Sequence, residues 1–346
     1  MPSGRGGGTE AVILAGDVGG TSTRIALFEV HDGRLTTVRL EKYRSGEHRG
    51  LGDLVRVFMT GERRPVQHAS FGVPGPVIGG RADPPNLPWV VDAGDLALQL
   101  GMPHTWLIND LEANTYGIPA LPSRDFVVLN AGEAGAVGNL AVISAGTGLG
   151  QAGAYWDGSN HHPFAGEGGH ADFAPQDPLQ VDLLLHLRGM VGRVSWERVV
   201  SGPGLHRIYQ FLRDTGRGVE PAWLREAIDQ GDPPAVVSAA GLAGTSELCV
   251  QALDLFVALY GAAAGNLALT FKATGGVYVG GGIAPRIVDR IKDGVFMDAF
   301  LDKGRLRGML ERIPVRVILN DEAALLGAAR YAAIRGGLLA NDPPAR

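Results

Sequence analysis

The sequence predicts an α/β fold, and three features of the chain support this. Apolar runs of strand length alternate with Gly-rich turns through the first half of the 346 residues. Longer runs with helical spacing fill much of the second half, and the C-terminal part returns to strand, helix, strand and helix. This alternation is typical of α/β proteins. Hydrophobic residues make up 45% of the chain, which is ordinary for a globular protein.

The individual elements follow from apolar runs bounded by turn residues. Strands are predicted at 11–15, 24–30, 67–72, 105–108, 126–129, 140–144, 151–155, 275–282 and 315–319. Helices are predicted at 178–190, 204–214, 234–244, 246–271, 283–293 and 321–337. Asp321 and Glu322 are expected in the first turn of the last helix, where the helix dipole favours acidic side chains.

Composition excludes several classes of function. The net charge of −5 and the lack of a Lys/Arg-rich stretch argue against a nucleic-acid partner. Cys249 is the only cysteine, so no disulfide framework is possible and a cytoplasmic protein is expected. Residues 1–10 lack the apolar core of a signal peptide and are interpreted as a disordered leader. The apolar stretch 253–271 carries Asp254 and Asn266, which favours a buried helix over a membrane span.

The stretch "GDVGGTSTR", which spans 16–24, lies between two predicted strands. Paired glycines accept the positive φ of a tight hairpin turn, so a hairpin is predicted there. Its exposed backbone N–H groups and hydroxyls suit a phosphate, and the carboxylate of Asp17 suits the accompanying Mg²⁺. The stretch is no Walker loop, because no Gly-Lys-Ser/Thr follows. An ordinary hairpin without a ligand is the alternative.

The stretch "NLAVISAGTGLGQAGAYW", which spans 139–156, repeats this plan of strand, Gly-rich turn with a hydroxyl, and strand. Two such hairpins about a domain apart suggest duplicated halves that face each other across a cleft and hold the phosphates of a nucleotide together. A third Gly-rich stretch, "GGVYVGGGIAPR" at 275–286, runs from strand to helix. Its turn lets the backbone approach a flat ligand, although a simple tight crossover is the alternative.

Six stretches in order resemble the bacterial glucokinase family, within the superfamily of sugar kinases, hexokinases and actin. They are "GDVGGTSTR", "FGVPGPV", "LINDLEA", "SAGTGLG", "GEGGHADFAP" followed by "SWERVVSGPGL", and "GGVYVGGGIAPR". The resemblance covers the chain from about 11 to 333. It implies a two-domain actin-like ATPase fold, of the ribonuclease H-like class, with a cleft between the domains. It also implies that "FGVPGPV" is an interdomain connection without a chemical role.

The resemblance implies that Asp110 is the catalytic base, which takes the proton of the 6-hydroxyl of glucose. Phosphoryl transfer to a hydroxyl needs such a group, and Asp110 follows the predicted strand 105–108 at its C-terminal end, where α/β proteins bind ligands. The alternative is that Asp110 only caps the helix that follows. Asn109 is expected to bind a sugar hydroxyl, since its amide offers both a donor and an acceptor.

The remaining sugar ligands implied by the resemblance are Glu167, His170 and Glu197. Glu197 has an alternative role at a helix N-terminus, because Ser195 before it is a favourable N-cap. Zinc at His170 is unfavourable, because related kinases that bind zinc here use a Cys-rich segment that "HADFAP" lacks. His161 and His162 are interpreted as residues of a solvated loop.

ATP and Mg²⁺ are the expected ligands of the Gly-rich turns. By the resemblance, Asp17 directs the Mg²⁺, directly or through water. The residues expected to bind ATP are Gly16, Asp17, Val18, Gly19, Gly20, Thr21, Thr147, Gly148, Gly281 and Gly282. Ser22 stands where the family usually carries Asn and is therefore left out of this set.

The expected organisation is a small α/β domain at 11–120, rejoined by 320–336, and a large α/β domain at 121–319. The expected activity is ATP-dependent phosphorylation of glucose to glucose 6-phosphate by a cytoplasmic homodimer with no nucleic-acid or membrane partner. The alternatives are a kinase of another hexose or an amino sugar, and a catalytically silent sugar sensor. An actin-like filament-forming ATPase is a further alternative, although it would not need "GEGGH" or Glu197.

Overall fold

The computed structural model describes residues 11–84 and 86–341, so the predicted leader 1–10 lies outside the described residues. The chain divides into two compact units. The first unit contains residues 1–122, 157–165 and 322–346, and the second contains 123–156 and 166–321. The segment 157–165 thus groups with the first unit, whereas the sequence places it in the large domain. The domain limits drawn from the sequence stay predictions.

The strands are β1 (Ala11–Val18), β2 (Ser22–His31), β3 (Arg34–Arg44), β4 (Val66–Val73), β5 (Arg81–Ala82), β6 (Val91–Asp92), β7 (His104–Asn109), β8 (Phe126–Asn130), β9 (Leu140–Ala145), β10 (Leu149–Trp156), β11 (His161–Gly166), β12 (Gly276–Gly280) and β13 (Val315–Ile318). The helices are α1 (Leu51–Met59), α2 (Ala93–Leu100), α3 (Asp110–Gly117), α4 (Pro178–Val191), α5 (Gly202–Asp214), α6 (Ala222–Gln230), α7 (Pro233–Leu242), α8 (Glu247–Phe271), α9 (Val288–Lys292), α10 (Val295–Leu301), α11 (Arg307–Leu310) and α12 (Ala323–Arg335).

The first unit is built on a five-stranded sheet with the order β3-β2-β1-β4-β7. β1, β2 and β3 are antiparallel neighbours, whereas β4 and β7 run parallel to β1. Both faces of β1 are covered: Leu14 packs in one cluster with helices α1 and α2, and Ile13 packs in another with α12. Burial on both faces explains why the β1 sequence is a continuous apolar run without alternation.

The second unit contains the strand order β10-β9-β12-β13-β8. β9, β12 and β13 run parallel, and β10 pairs antiparallel with β9. Each unit therefore has an antiparallel hairpin followed by two further parallel strands, β2-β1-β4-β7 and β10-β9-β12-β13. This shared topology agrees with the repeated hairpin plan of the sequence.

Helix α8 forms the centre of the core of the second unit. It is long and apolar enough to span a membrane by length and composition, but 72% of its most apolar window is buried inside the structure. It packs against α5, α7 and α10. The sequence prediction of a buried helix is confirmed.

The nine predicted strands all occur, and the six predicted helices occur with two corrections. The predicted helix 283–293 is regular only over Val288–Lys292, because Pro285 lacks a backbone donor and the residues before it form turns. Helix α12 begins at Ala323, so Asp321 and Glu322 precede it and do not lie in its first turn. The sequence analysis missed the strands β3, β5, β6 and β11 and the helices α1, α2, α6, α10 and α11. The interpretation of His161 and His162 as a solvated loop is wrong, because both residues lie in β11 and His161 is buried.

Candidate active site

The stretch 16–24 forms the predicted hairpin, in which β1 and β2 are joined by a short turn. The N–H of Gly19 donates to the carbonyl oxygen of Ser22 over 3.0 Å. Neither Gly19 nor Gly20 adopts the positive φ that the sequence predicts. A Cβ at Gly19 would lie 2.8 Å from the Ser22 carbonyl oxygen, and one at Gly20 would lie 2.8 Å from that of Asn86. The paired glycines are therefore explained by the close approach of backbone atoms, and not by a need for positive φ.

Gly16, Asp17 and Val18 form the end of β1 that leads into this turn. Gly16 lies against the ring of Phe71, where a Cβ would overlap the ring. Asp17 is half-buried and lies opposite Gly72 of the parallel strand β4. The carboxylate is thus placed at the C-terminal edge of the sheet, next to the Gly19–Thr21 turn, in agreement with the predicted ligand-binding end.

Asp110 is the first residue of α3 and directly follows β7, a parallel strand of the same sheet. Its Oδ1 accepts a hydrogen bond from the N–H of Leu111 over 2.9 Å. The residue that caps α3 is Asn109, whose Oδ1 accepts from the N–H groups of Leu111 and Glu112 over 2.9 and 3.2 Å. The alternative interpretation of Asp110 as the N-cap of this helix is therefore wrong.

The amide of Asn109 has less hydrogen-bonding capacity left than the sequence analysis expects. Its Oδ1 caps α3, and its Nδ2 donates to the carbonyl oxygen of Gly75 over 3.0 Å. An amide nitrogen has two hydrogens, so one donor is left for a sugar hydroxyl.

Gly75, with φ of +81°, and Pro74 lie inside the first unit, so the expected interdomain connection at these residues is wrong. The carbonyl oxygen of Gly75 instead accepts a hydrogen bond from the side chain of Asn109.

The second hairpin joins β9 to β10 through Thr147 and Gly148, and it is in contact with a predicted sugar ligand. Oε2 of Glu197 accepts a hydrogen bond from the N–H of Leu149 over 3.1 Å. A Cβ at Gly148 would lie 2.5 Å from the same oxygen. Glycine at 148 is thus required for the approach of the Glu197 carboxylate to this hairpin, and Thr147 at the tip is exposed.

Glu197 lies in a three-residue 3₁₀ turn and not at the start of an α-helix. Ser195 occupies the N-cap position of this turn and Glu197 lies in its first turn, but the Ser195 side chain makes no capping hydrogen bond there. The next α-helix, α5, is capped by Ser201, whose Oγ accepts from the N–H of Gly204 over 3.0 Å. Oγ of Ser201 also donates to the carbonyl oxygen of Glu197 over 2.7 Å, which fixes the backbone that carries this carboxylate.

Glu167 precedes another 3₁₀ turn, Gly168–His170, that ends at His170 and lies on the start of β10. Gly169 is buried there, and a Cβ on it would overlap the carbonyl oxygen of Leu149. The side chains of Glu167 and His170 are more than half exposed, with Oε2 and Nε2 separated by 3.9 Å. The turns that carry Glu167, His170 and Glu197 therefore meet at the peptide groups of Leu149, within the second unit.

Gly281 and Gly282 are exposed and follow β12 directly. Gly281 has φ of +83°, and a Cβ on it would overlap the carbonyl oxygen of Ala145 at the end of β9. The predicted adenosine turn and the second phosphate hairpin therefore leave neighbouring parallel strands side by side. Positive φ and close approach together require glycine at this position.

Tyr260 of α8 contacts the C-terminal ends of both of these strands, β9 and β12, through its hydroxyl group. Its hydroxyl accepts from the N–H of Ala145 over 3.0 Å and lies 3.2 and 3.0 Å from the carbonyl oxygens of Ile143 and Gly280. The side chain is fully buried, and this burial raises the pKa of the phenol. The phenol therefore stays neutral and keeps its proton for donation.

Replacing Tyr260 with Phe should weaken both the fold and the predicted nucleotide site. The substitution leaves the buried N–H of Ala145 without its acceptor, which costs about 1–3 kcal/mol of unfolding free energy. Urea unfolding measures this loss, and steady-state kinetics should show a higher KM for ATP because the two turns lose their common anchor. Tyr155→Phe, which changes an exposed tyrosine of β10, is the control. Unchanged stability in Tyr260→Phe would contradict the role of this hydroxyl.

Two residues that fix the predicted site were missed by the sequence analysis, Tyr260 and Ser45. A tyrosine inside the otherwise apolar helix 246–271 is a usable signal, because a buried hydroxyl needs a partner. Ser45, which contacts the first hairpin, follows it by more than twenty residues and has no local signal.

Comparison with known proteins identifies the family. The family model described as Glucokinase matches residues 14–334. The glucokinase of Nostoc punctiforme is 41% identical over 337 residues, which is 93% of this chain and 99% of that protein. The glucokinase of an Antarctic psychrotroph superposes with a TM-score of 0.81 at 30% identity, covering 93% of this chain and 98% of that one.

A more distant structure supports the fold class. The ROK family glucokinase of Streptomyces griseus, solved in complex with glucose and AMPPNP, superposes with a TM-score of 0.61 at 22% identity. It covers 93% of this chain and 99% of its own. The fold is the actin-like ATPase fold that the sequence predicts. With the family model matching most of its length and a relative 41% identical, the chain belongs to the glucokinase family.

Proposed function

We propose that this enzyme transfers the γ-phosphoryl group of ATP to the 6-hydroxyl of D-glucose, with Asp110 as the general base. The observation that carries the proposal is the position of Asp110, directly after β7 and at the first residue of α3. The carboxylate is held there by the N–H of Leu111. A helix N-terminus favours negative charge, which suits a side chain that acts as a carboxylate.

The reaction is a displacement at the γ-phosphorus. The bond between O6 of glucose and this phosphorus forms, the bond to the oxygen that bridges the β and γ phosphorus atoms breaks, and ADP leaves. The proton of the 6-hydroxyl passes to the carboxylate of Asp110. A positioned base of this kind contributes about 10²- to 10⁴-fold to the rate.

Sugar recognition is assigned to Asn109, Glu167, His170 and Glu197. Asn109 contributes its second amide hydrogen, since its other groups hold α3 and Gly75. Oε2 of Glu197 is used by Leu149, and Oε1 is assigned to a sugar hydroxyl. Sites of this kind discriminate strongly, because an analogue without the hydroxyl leaves polar groups unpaired.

The hairpin turns are assigned to ATP. In the first unit these are the residues from Gly16 to Thr21, and in the second unit they are Thr147, Gly148, Gly281 and Gly282. The structure of the Streptomyces griseus relative contains glucose and AMPPNP, which supports ATP as a ligand of this fold. The close backbone approaches at Gly20 and Gly281 account for glycine at two of these positions.

Mg²⁺ is proposed as the metal that accompanies ATP, with Asp17 as its protein ligand, directly or through water. The residues present fit this ion, because Asp17 offers a carboxylate at the ligand-binding edge of the sheet and Mg²⁺ prefers oxygen ligands. When bound, Mg²⁺ would neutralise phosphate charge.

A cytoplasmic homodimer without nucleic-acid or membrane partners is proposed from the family resemblance and the composition.

The test is steady-state phosphorylation of glucose, mannose, fructose and N-acetylglucosamine with Mg-ATP, ADP or polyphosphate as the donor. The expected result is fast turnover of glucose with ATP and little turnover of the other sugars. Preference for another sugar would make the chain a kinase of that sugar. Sugar binding without turnover would indicate a sensor, and ATP hydrolysis that is independent of sugar would indicate an actin-like ATPase.

A further inference from the structure

The turn of the first hairpin is held from one side by a single buried residue, Ser45. Its Oγ donates to the carbonyl oxygen of Gly19 over 2.6 Å, and its backbone N–H donates to that of Thr21 over 3.1 Å. Ser45 is completely buried. Two of the three carbonyl groups between Gly19 and Thr21 are thus fixed by one residue.

Thr23 of β2 extends this arrangement. Its Oγ1 lies 3.0 Å from Oγ of Ser45, and it is also completely buried. Because the single hydroxyl hydrogen of Ser45 is used on Gly19, Thr23 must be the donor in this contact. The two hydroxyls and the Gly19 carbonyl form a chain of hydrogen bonds whose members polarise and strengthen one another.

The bonds made by Ser45 determine the direction of the N–H groups of the turn. In a planar trans peptide the N–H points opposite to the carbonyl of the preceding residue. The N–H of Gly20 is therefore turned away from Ser45, and so is that of Ser22. Among the described residues no group accepts a hydrogen bond from the N–H of Gly20. The backbone of Asn86 lies close to Gly20 and limits movement of the turn in that direction.

We infer that Ser45 is a positioning residue for the phosphates of ATP, which holds the Gly19 and Thr21 carbonyls so that the Gly20 N–H is presented to a phosphate oxygen. This rests on the proposed function, which assigns the hairpin to ATP. Ser45 itself touches no substrate atom. Its contribution is to fix the direction of a backbone donor before ATP binds, so that no rearrangement of the turn is needed.

The test compares KM for ATP, KM for glucose and kcat in Ser45→Ala and Ser45→Thr. Ser45→Ala removes the hydroxyl and should raise KM for ATP about tenfold, the loss of one charge-assisted hydrogen bond, with KM for glucose unchanged. Ser45→Thr keeps the hydroxyl and should restore KM for ATP, although its extra methyl group lowers the melting temperature. A merely structural role would make KM for ATP follow the melting temperature in both variants.

Ser238→Ala is the matched control, because Ser238 makes a similar bond to the carbonyl oxygen of Ala235 over 3.0 Å at a half-buried position of α7, far along the chain from the first hairpin. If Ser45→Ala does not fold, Thr23→Val removes only the outer hydroxyl and should raise KM for ATP two- to threefold. Unchanged KM for ATP in the folded variant would overturn the inference. If the unaltered enzyme does not use ATP, the proposed function itself fails, which is a distinct outcome.

Discussion

Replacing Asp110 with Asn should lower kcat for glucose by about 10²- to 10⁴-fold, the usual contribution of a general base. The amide keeps the shape of the side chain and can still accept from the N–H of Leu111 through its oxygen. It does not take up a proton at neutral pH, so the 6-hydroxyl loses its acceptor. Glucose affinity, measured by titration calorimetry, should change only a few fold, because most of the proposed sugar contacts come from other residues.

Glu112→Gln is the matched control for this experiment. Glu112 is a carboxylate two residues further along the same helix, and burial raises its pKa. Its N–H donates to the Oδ1 of Asn109, a bond that the substitution keeps. This variant should retain most of the activity. An Asp110→Asn enzyme with normal kcat would refute the base assignment, and a loss of glucose affinity with unchanged kcat would indicate a binding role alone.

Replacing Gly327 with Ala should destabilise the enzyme by about 3 kcal/mol or more. Gly327 lies in α12 where this helix crosses α3, and a Cβ there would overlap the carbonyl oxygen of Ala113. In the same crossing, Gly117 of α3 lies against the carbonyl of Ala323. The two backbones are therefore in contact at both points. Added volume must push the helices apart, and Asp110 moves with α3, so kcat should fall as well.

Gly189→Ala is the control for added volume. Gly189 lies inside α4 with open space where the Cβ would stand, and Ala is favoured over Gly in a helix by about 0.5–1 kcal/mol. Urea unfolding should therefore show a small gain for Gly189→Ala and a large loss for Gly327→Ala. Equal stability of the two variants would show that the crossing of α3 and α12 tolerates a methyl group.

The sequence predicts the elements that carry a strong local pattern. The continuous apolar run of β1 and the Gly-rich turns identify both hairpins and the strand before Asp110, because burial on two faces and tight turns leave clear residue preferences. Strand β3 was missed because it is an edge strand with exposed, charged residues such as Arg34 and Lys42. It has no apolar face that a pattern could reveal.

The details of the site depend on contacts that local sequence does not contain. Asn109, and not Asp110, caps α3, and the two residues have similar capping preferences. Glycine at 19 and 20 is explained by the Ser22 carbonyl and by Asn86, which is remote in the chain. The anchoring of the hairpins by Ser45 and Tyr260 likewise arises only when the sheet and α8 have packed. The sequence therefore predicts which residues form the turns and the strand ends. It does not predict the packing contacts that explain why those residues are needed there.

In the second unit, Leu149 contacts both the turns proposed for glucose and the hairpin proposed for ATP. The N–H of Leu149 donates to the carboxylate of Glu197, and its carbonyl oxygen lies against Gly169. The turn of the second hairpin ends at the same residue. In the proposed assignment, glucose on Glu167, His170 and Glu197 acts on the same hairpin that is assigned to ATP. By thermodynamic linkage, the factor by which glucose alters ATP affinity equals the factor by which ATP alters glucose affinity. Through the two peptide groups of Leu149, the two substrates are expected to act as effectors of each other.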